Sequence, residues 1–146
     1  MISQFLAQPP ASPAEWSARA GQLFRNAPQN ETRGLTLAYA LLLDRHFDAA
    51  ADTLRTVYDG PSLDPGVPVL LAWSLMETGH TQEAAPLLRL NPIPAPSGIN
   101  PDTYFYFPRL FDLRARLAEK SGRSEEAAAN RALYQKLRGQ AAQPVP

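Results

Sequence analysis

The sequence predicts an all-α fold, a right-handed superhelical stack of antiparallel helix hairpins. The first observation behind this prediction is a repeat of small residues, 34 residues from Ala50 to Ala84 and 43 from Ala84 to Ala127. The longer interval is the same period with a nine-residue insertion. A period in this range is typical of stacked helical units, none of which buries its apolar face alone. With 146 residues and 45% hydrophobic content, the chain is long enough for one core.

The second observation is that small side chains recur on both predicted helices of each unit, where two helix axes must come close. They are Ala38, Ala72 and Ala115 on the first helices and Ala50, Ala84 and Ala127 on the second. The third is that Gly79 and Gly122 stand between the two helices, where a residue without Cβ takes positive φ at little cost. Arg45 holds this place in the first unit. The helices are predicted near residues 31–44, 47–58, 67–78, 81–90, 103–121 and 124–138.

A further helix is predicted near residues 12–26. Ser12 is a favourable N-cap, and Pro13 suits the first helical position. The stripe on one side of this helix consists of Trp16, Ala20, Leu23 and Phe24. The segment is either a natural N-terminal cap or half of a repeat cut from a longer array. A lone half-repeat leaves an apolar face for a missing neighbour, which favours the longer array.

The corresponding positions of the three units can be aligned. They are Gly34, Leu37, Ala38, Leu41, Arg45, Phe47, Ala50, Leu54 and Val57; then Pro68, Leu71, Ala72, Leu75, Gly79, Thr81, Ala84 and Leu88; then Phe111, Arg114, Ala115, Ala118, Gly122, Ser124, Ala127, Arg131 and Tyr134. This pattern resembles the tetratricopeptide repeat (TPR) over residues 31–139. Arg114 and Arg131 occupy positions that bury an apolar side chain in that family. The resemblance therefore implies that the third unit is the last one and that its outer face is exposed to solvent.

These observations predict one helical domain over residues 1–139. Its parts are a half-repeat or cap helix (12–28), repeat 1 (31–64), repeat 2 (65–91), a proline-rich insertion (92–103) and repeat 3 (104–139). Residues 140–146 are small, polar and rich in proline, and we expect them to be disordered. The insertion is expected to be extended, since proline lacks an amide donor and restrains the residue before it. The aromatic residues that follow, at 104–107, either form a lid on a binding groove or cover the gap that the insertion opens; we favour the second.

Composition argues against several classes of function. The 14 basic and 14 acidic side chains cancel, so we expect no nucleic acid and no anionic membrane as partners. The chain has no cysteine, which excludes disulfides and thiol nucleophiles. No apolar run approaches the length of a membrane span, and the first residues do not read as a secretory signal. The chain as given favours a cytoplasmic location and no membrane insertion.

Motifs that carry chemistry are also missing from the sequence. It has no serine-nucleophile signature and no glycine-rich phosphate loop, so we predict no enzymatic activity and no cofactor. His46 and His80 lie 34 residues apart, at the same point of consecutive units. With Asp44 and Asp48 they are the conceivable metal ligands, but we interpret them as solvated turn residues and predict no metal. The carboxylates expected on the solvated face are Asp48, Asp52, Glu83, Glu125 and Glu126. Ser124 is expected to be the N-cap of the last helix.

The resemblance implies a function, because first-helix residues form the concave surface in TPR proteins. This surface maps onto Leu35, Tyr39 and Leu42, then Val69, Trp73 and Met76, then Arg109, Asp112 and Arg116. We expect an apolar, aromatic floor and a two-arginine end, suited to a partner segment with apolar anchors and one acidic group. The lysines and asparagines of the family's carboxylate clamp are missing here, so we expect no binding of that type.

Alternatives to this groove are open. Tyr39 and Trp73 could pack against the next first helix, or the 104–107 aromatics could fill the groove. A different hypothesis is structural: the chain is the C-terminal cap or self-association segment of a longer array and associates with itself through the N-terminal half-repeat. The oligomeric state separates these hypotheses, because the structural one predicts a dimer and the binding module a monomer.

Overall fold

The part of the chain that the computed structural model describes contains six continuous helices. The structure describes the backbone of residues 15, 18, 22, 31–57, 66–89 and 103–141, and the side chains of all of these except 31–33, 103–106, 140 and 141. The helices are α1 (Glu31–Leu43), α2 (Phe47–Val57), α3 (Gly66–Glu77), α4 (Thr81–Arg89), α5 (Thr103–Lys120) and α6 (Ser124–Ala141). No strand occurs in these ranges, which confirms the all-α prediction, and each helix end lies within three residues of its predicted position.

Three other predicted segments are described only in part. Of residues 12–26 the structure describes Glu15, Ala18 and Gln22, each helical and exposed. The remainder of that predicted helix lies outside the described residues, as do positions 92–102 of the insertion and 142–146 of the tail.

Three hairpins, α1 with α2, α3 with α4 and α5 with α6, are closed by turns of the same geometry. One residue in each turn has positive φ: 63° at Arg45, 84° at Gly79 and 70° at Gly122. The N–H of the following residue donates to the carbonyl five residues before it, and these bonds are His46 to Leu41 at 2.8 Å, His80 to Leu75 at 2.8 Å and Arg123 to Ala118 at 2.9 Å. This is the Schellman arrangement that ends helices at a left-handed residue. The predicted role of the two glycines is confirmed.

The second helix of each hairpin also begins in the same way. Its first carbonyl acceptor belongs to His46, His80 or Arg123, and the donors are Ala50, Ala84 and Ala127 at 2.9, 3.1 and 3.0 Å. The N-cap of α6 is therefore Arg123, one residue before the expected Ser124. All six repeated alanines are buried. Their burial agrees with the prediction that small residues stand where helices approach closely.

Glycine serves the same purpose at one further point, between α1 and α2. A Cβ added to Gly34 would lie 2.5 Å from Cγ1 of Val57, far inside van der Waals contact. A larger residue at Gly34 would require the Val57 side chain or the contact between α1 and α2 to shift.

Helix α3 is the interior helix of the described structure. It packs against α4 within its hairpin and also against α1, α2 and α5. Every residue from Gly66 to Met76 is buried as a result. The largest fully buried side chains in α3 and in the helices around it are leucines and valines, namely Leu42, Leu54, Val67, Val69, Leu70, Leu88, Leu110 and Leu113. The one buried hydroxyl in α3, on Ser74, donates to the Leu70 carbonyl at 3.1 Å, so its polar atom is satisfied inside the core.

Polar contacts join the third hairpin to the second. Arg114, which stands where an apolar residue is expected, donates from Nε to the Leu88 carbonyl at 2.9 Å, near the C-terminal end of α4. Carbonyls at a helix C-terminus lack partners within the helix and carry partial negative charge, so a guanidinium is a favourable cap there. Burial lowers the pKa of Arg114, and the charge of Glu126 opposes that shift. Lys120 adds a bond to the Thr81 hydroxyl at 3.1 Å.

Helix α6 is different from the others. It packs on α5, and Ala127 is its only buried residue among those whose side chains are described. No helix in the described ranges is both long and apolar enough to cross a membrane.

Candidate functional site

The first helices of the three hairpins lie side by side, because α3 contacts both α1 and α5. This arrangement brings Trp73 and Arg109 into contact. The guanidinium carbon of Arg109 lies 4.2 Å from the centroid of the Trp73 ring, a close cation–π contact between α5 and α3. Burial raises the pKa of Tyr39, and the positive charge of Arg109 lowers it in part, which links α1 to the same arginine.

Two ion pairs flank this aromatic contact. Arg109 Nη1 lies 3.4 Å from Asp112 Oδ2, one turn further along α5. Arg116 Nη1 lies 2.6 Å from Glu77 Oε1 at the end of α3. We call the set of Tyr39, Trp73, Glu77, Arg109, Asp112 and Arg116 the first-helix face. The charges of its two arginines and two carboxylates cancel, so the face has no net charge although it carries four charged groups.

The aliphatic residues predicted for the floor of a groove lie in the core instead. Leu35, Leu42, Val69 and Met76 are 1–5% exposed. Val69 and Met76 are buried because they lie on α3, which packs against four other helices, and Leu35 and Leu42 of α1 belong to the same core cluster. A ligand cannot contact these four side chains in this arrangement, and the expected open apolar floor has to be corrected to a small polar and aromatic surface.

Trp73 is itself only 8% exposed, with Arg109 over its ring. This agrees with the alternative in which Trp73 packs against the next first helix. The exposed surface of the predicted site therefore comes from Tyr39, Arg109, Asp112 and Arg116, which are all partly exposed.

Sequence reasoning missed Glu77. This residue is 39 positions from Arg116, and nothing in the spacing of a helical repeat signals a side-chain pair between two neighbouring first helices. Its place at the last residue of α3 was a weak hint, because a carboxylate at a helix C-terminus is unfavourable unless a cation compensates it.

One aromatic residue from the 104–107 run is described with its side chain. Phe107 is partly buried against the core, and its ring meets Phe111 edge to face with centroids 5.3 Å apart. This contact agrees with the interpretation that the aromatics cover a gap. The side chains of Tyr104, Phe105 and Tyr106 lie outside the described residues.

A concave region, separate from the first-helix face, lies between the first two hairpin turns. It encloses about 590 Å³ and is lined by Arg45, His46, Phe47, Asp48, Ala49, Glu77, Thr78 and His80. The two histidines do face one groove, but each is exposed and engaged locally. His46 Nε2 lies 3.1 Å from Asp44 Oδ2, and His80 Nδ1 lies 2.9 Å from the Thr78 hydroxyl. In the ranges that the structure describes, no three His, Asp or Glu side chains are grouped so as to hold a metal ion.

Comparisons of this chain with protein-family models, curated proteins and solved structures find no match. The residues and geometry of the chain itself are therefore the basis for any functional proposal.

Proposed function

We propose that this chain is a non-enzymatic protein–protein interaction module, built as a TPR-like right-handed stack of helical hairpins. A peptide or a segment of a partner protein binds on the first-helix face. The observation that carries the proposal is the stacking of Arg109 on Trp73, because it places an arginine and a tryptophan, two side-chain types favoured at binding hot spots, in direct contact.

The TPR-like stack is supported by repetition of detail. The left-handed residue, the Schellman bonds and the first bond of the second helix recur in all three hairpins, at intervals of 34 and 43 residues. The first helices contact one another in chain order, α1 to α3 to α5. Such an order is expected of a solenoid, in which each unit packs mainly on its neighbours.

Binding on the first-helix face is supported by its composition. Arginine and aromatic residues are enriched at protein interfaces, and an arginine binds a carboxylate through paired, charge-assisted hydrogen bonds. Because the aliphatic side chains are buried, the partner contacts a compact surface centred on Arg109 and Trp73. A segment with an apolar anchor and an acidic group is the complementary ligand.

A second candidate function is supported by the other end of the chain. On the outer side of α6, Arg131 pairs with Glu119 of α5, and both side chains are about half exposed. Charged residues at this point suit the end of a stack, since an exposed ion pair is unfavourable beneath a further hairpin. The chain would then be the C-terminal cap or self-association segment of a longer array.

The test of the interaction module is affinity capture from the lysate of the source organism, followed by mass spectrometry. Four proteins are compared: the parent, Trp73→Phe, Arg109→Ala/Arg116→Ala, and the matched control Arg55→Ala/Arg123→Ala. The control removes two arginines that are also ion-paired, one on α2 and one just before α6, and neither belongs to a first helix. We expect proteins that the parent and the control retain and the other two lose.

Equal capture by all four proteins would show that the first-helix face is not the site. Sedimentation of the purified chain addresses the second candidate function, which predicts a concentration-dependent dimer where the interaction module predicts a monomer.

A further inference from the structure

Arg109 has two partners on the first-helix face, the Trp73 ring below it and the Asp112 carboxylate beside it. We infer that Asp112 is an internal competitor for the ligand, an inference that rests on the proposed function. In the free chain Asp112 holds Arg109 over Trp73. A partner segment that presents a carboxylate next to an apolar side chain binds by taking Arg109 from Asp112 and placing its apolar group on the indole.

The contact between Arg109 and Asp112 is weak enough for the carboxylate of a ligand to replace it. It consists of one nitrogen–oxygen pair at 3.4 Å, beyond the usual range of a strong charge-assisted bond. The pair is partly buried, but both groups lie on the same helix one turn apart, a spacing at which ion pairs contribute little to stability. Breaking the ion pair with Asp112 therefore costs little, and the contact between helices that Arg109 gives up is the one with the Trp73 ring.

A carboxylate from a partner can replace Asp112 with better geometry. A guanidinium presents several donors in a planar fork that matches the two oxygens of a carboxylate. Among the described residues the Arg109 guanidinium makes one hydrogen bond, the one to Asp112. Its side chain is 34% exposed, so a ligand reaches it from solvent.

The apolar requirement comes from Trp73. Arg109 covers a ring that is otherwise buried, since the residue is only 8% exposed. When Arg109 turns toward a ligand, that ring face is left open to water. An apolar group of the same ligand restores the lost cover, and an aromatic ring does so with favourable stacking.

The other arginine on the face provides a contrast. Arg116 pairs with Glu77 at 2.6 Å, and this pair joins α5 to α3. Breaking this pair would remove a contact between two helices that no part of the ligand replaces, whereas the apolar group of the ligand takes the place of Arg109 on Trp73. Arg109 is therefore the exchangeable cation on the first-helix face, and Arg116 is the structural one.

The experiment follows the indole N–H of Trp73 by NMR in a Trp16→Phe background, which leaves one tryptophan. The probes are 4-phenylbutyrate, which combines a carboxylate with an apolar ring, and its uncharged analogue 4-phenylbutyramide. We expect 4-phenylbutyrate to bind on the order of tenfold more tightly than the amide, as charge-assisted bonds require. Arg109→Gln should remove this preference.

Asp112→Asn should then lower the Kd for 4-phenylbutyrate by about two- to fivefold, the factor that corresponds to freeing Arg109 from one weak ion pair. Glu77→Gln removes the same charge from the same face and is the matched control, for which we expect a smaller change. Circular dichroism and a melting curve on each variant establish that it is folded.

Three outcomes would overturn the inference: equal affinity for acid and amide, no change with Asp112→Asn, or equal changes with Asp112→Asn and Glu77→Gln. An absence of binding by either probe would overturn it as well. None of these outcomes touches the proposed function itself, which fails separately if lysate capture is the same for the parent, the Arg109→Ala/Arg116→Ala variant and its control.

Discussion

The second and third hairpins share one turn geometry, yet one is the interior of the molecule and the other is its edge. Helix α3 of the second hairpin is buried from Gly66 to Met76, whereas α6 of the third buries Ala127 alone among its described side chains. The turns differ by no more than 14° in φ at their glycines, 84° and 70°. Local geometry is therefore the same in the two hairpins, and neighbouring helices account for the difference in burial.

Side chains at corresponding positions explain how the third hairpin tolerates its exposure. Met76 and Leu88 are buried in the second hairpin, and the residues 43 positions later are Glu119 and Arg131. Arg131 donates from Nε and Nη2 to one Glu119 oxygen at 2.7 and 2.5 Å. This hydrogen bond and the charge of Glu119 raise the pKa of Arg131. A pair of apolar residues in the interior is replaced at the edge by a pair that prefers water.

The largest difference between the second and third hairpins is expected when one leucine in each is truncated to alanine. Leu88→Ala should cost about 2–5 kcal/mol of the free energy of unfolding, because it leaves a cavity beside α5. Leu133→Ala, the matched change on α6, should stay within about 0.5 kcal/mol, since that side chain is 45% exposed. Urea unfolding measures both. Similar costs for the two would contradict the distinction between interior and edge.

The next effect comes from enlarging a small residue. Ala84→Leu, and likewise Ala50→Leu in the first hairpin, should overpack a close helix contact and cost about 1–3 kcal/mol. Ala129→Leu is the control, because this alanine is exposed on α6 and has room for a larger side chain. Melting curves compare the three. If Ala50→Leu and Ala84→Leu melt within about a degree of the parent, the alanines do not mark close helix contacts.

A smaller and equal effect is expected at the two turn glycines. Gly79→Ala and Gly122→Ala should each cost about 1–2 kcal/mol, since a Cβ there meets no atom and only the left-handed backbone is strained. Arg45→Gly should relieve the corresponding strain in the first hairpin. Chemical denaturation gives all three values. Unequal costs at the two glycines would mean that the two turns differ more than their φ angles indicate.

Alkaline pH should change the stability of the chain through Tyr39, which is partly buried against the core, and the comparison is with Tyr134 on α6. Because burial raises the pKa of Tyr39 above its usual 10.0, the folded chain keeps this proton at pH values where the unfolded chain has lost it. The stability from this difference is fully present below pH 10 and declines as the pH rises through the folded pKa. Tyr39→Phe should lose less stability than the parent above pH 10. Tyr134→Phe on α6 is the control, expected to follow the parent in melting curves from neutral to alkaline pH.

The smallest change in stability is expected at the exposed ion pair, where the informative result is association. The double variant Glu119→Met/Arg131→Leu gives the third hairpin the apolar residues found at these positions in the second. An uncovered apolar patch favours self-association, so sedimentation velocity should show oligomers that the parent lacks. A variant that stays monomeric at high concentration would contradict the view that the charged pair ends the stack. Glu119→Gln/Arg131→Gln, which removes the charges and stays polar, is the control.

Much of the fold was predictable because its signals are local. Helices, turns and the repeated alanines depend on side-chain period, on glycine and on residue size, all of which are visible in a single chain. The two turn glycines take positive φ as predicted, and Arg45 adopts the same conformation without being glycine. The six helices in the described ranges fall where the periodicity indicates.

The candidate site was less predictable, because the sequence by itself determines elements and not their neighbours. Helix α3 is apolar all round, so its sequence contains no stripe that says which side is covered. Only the tertiary structure decided that Val69 and Met76 are core residues and that Trp73 lies beneath Arg109. The pair of Arg116 with Glu77 has the same origin. Burial and long-range pairing depend on how helices are placed against each other, and that placement is a property of the packed chain.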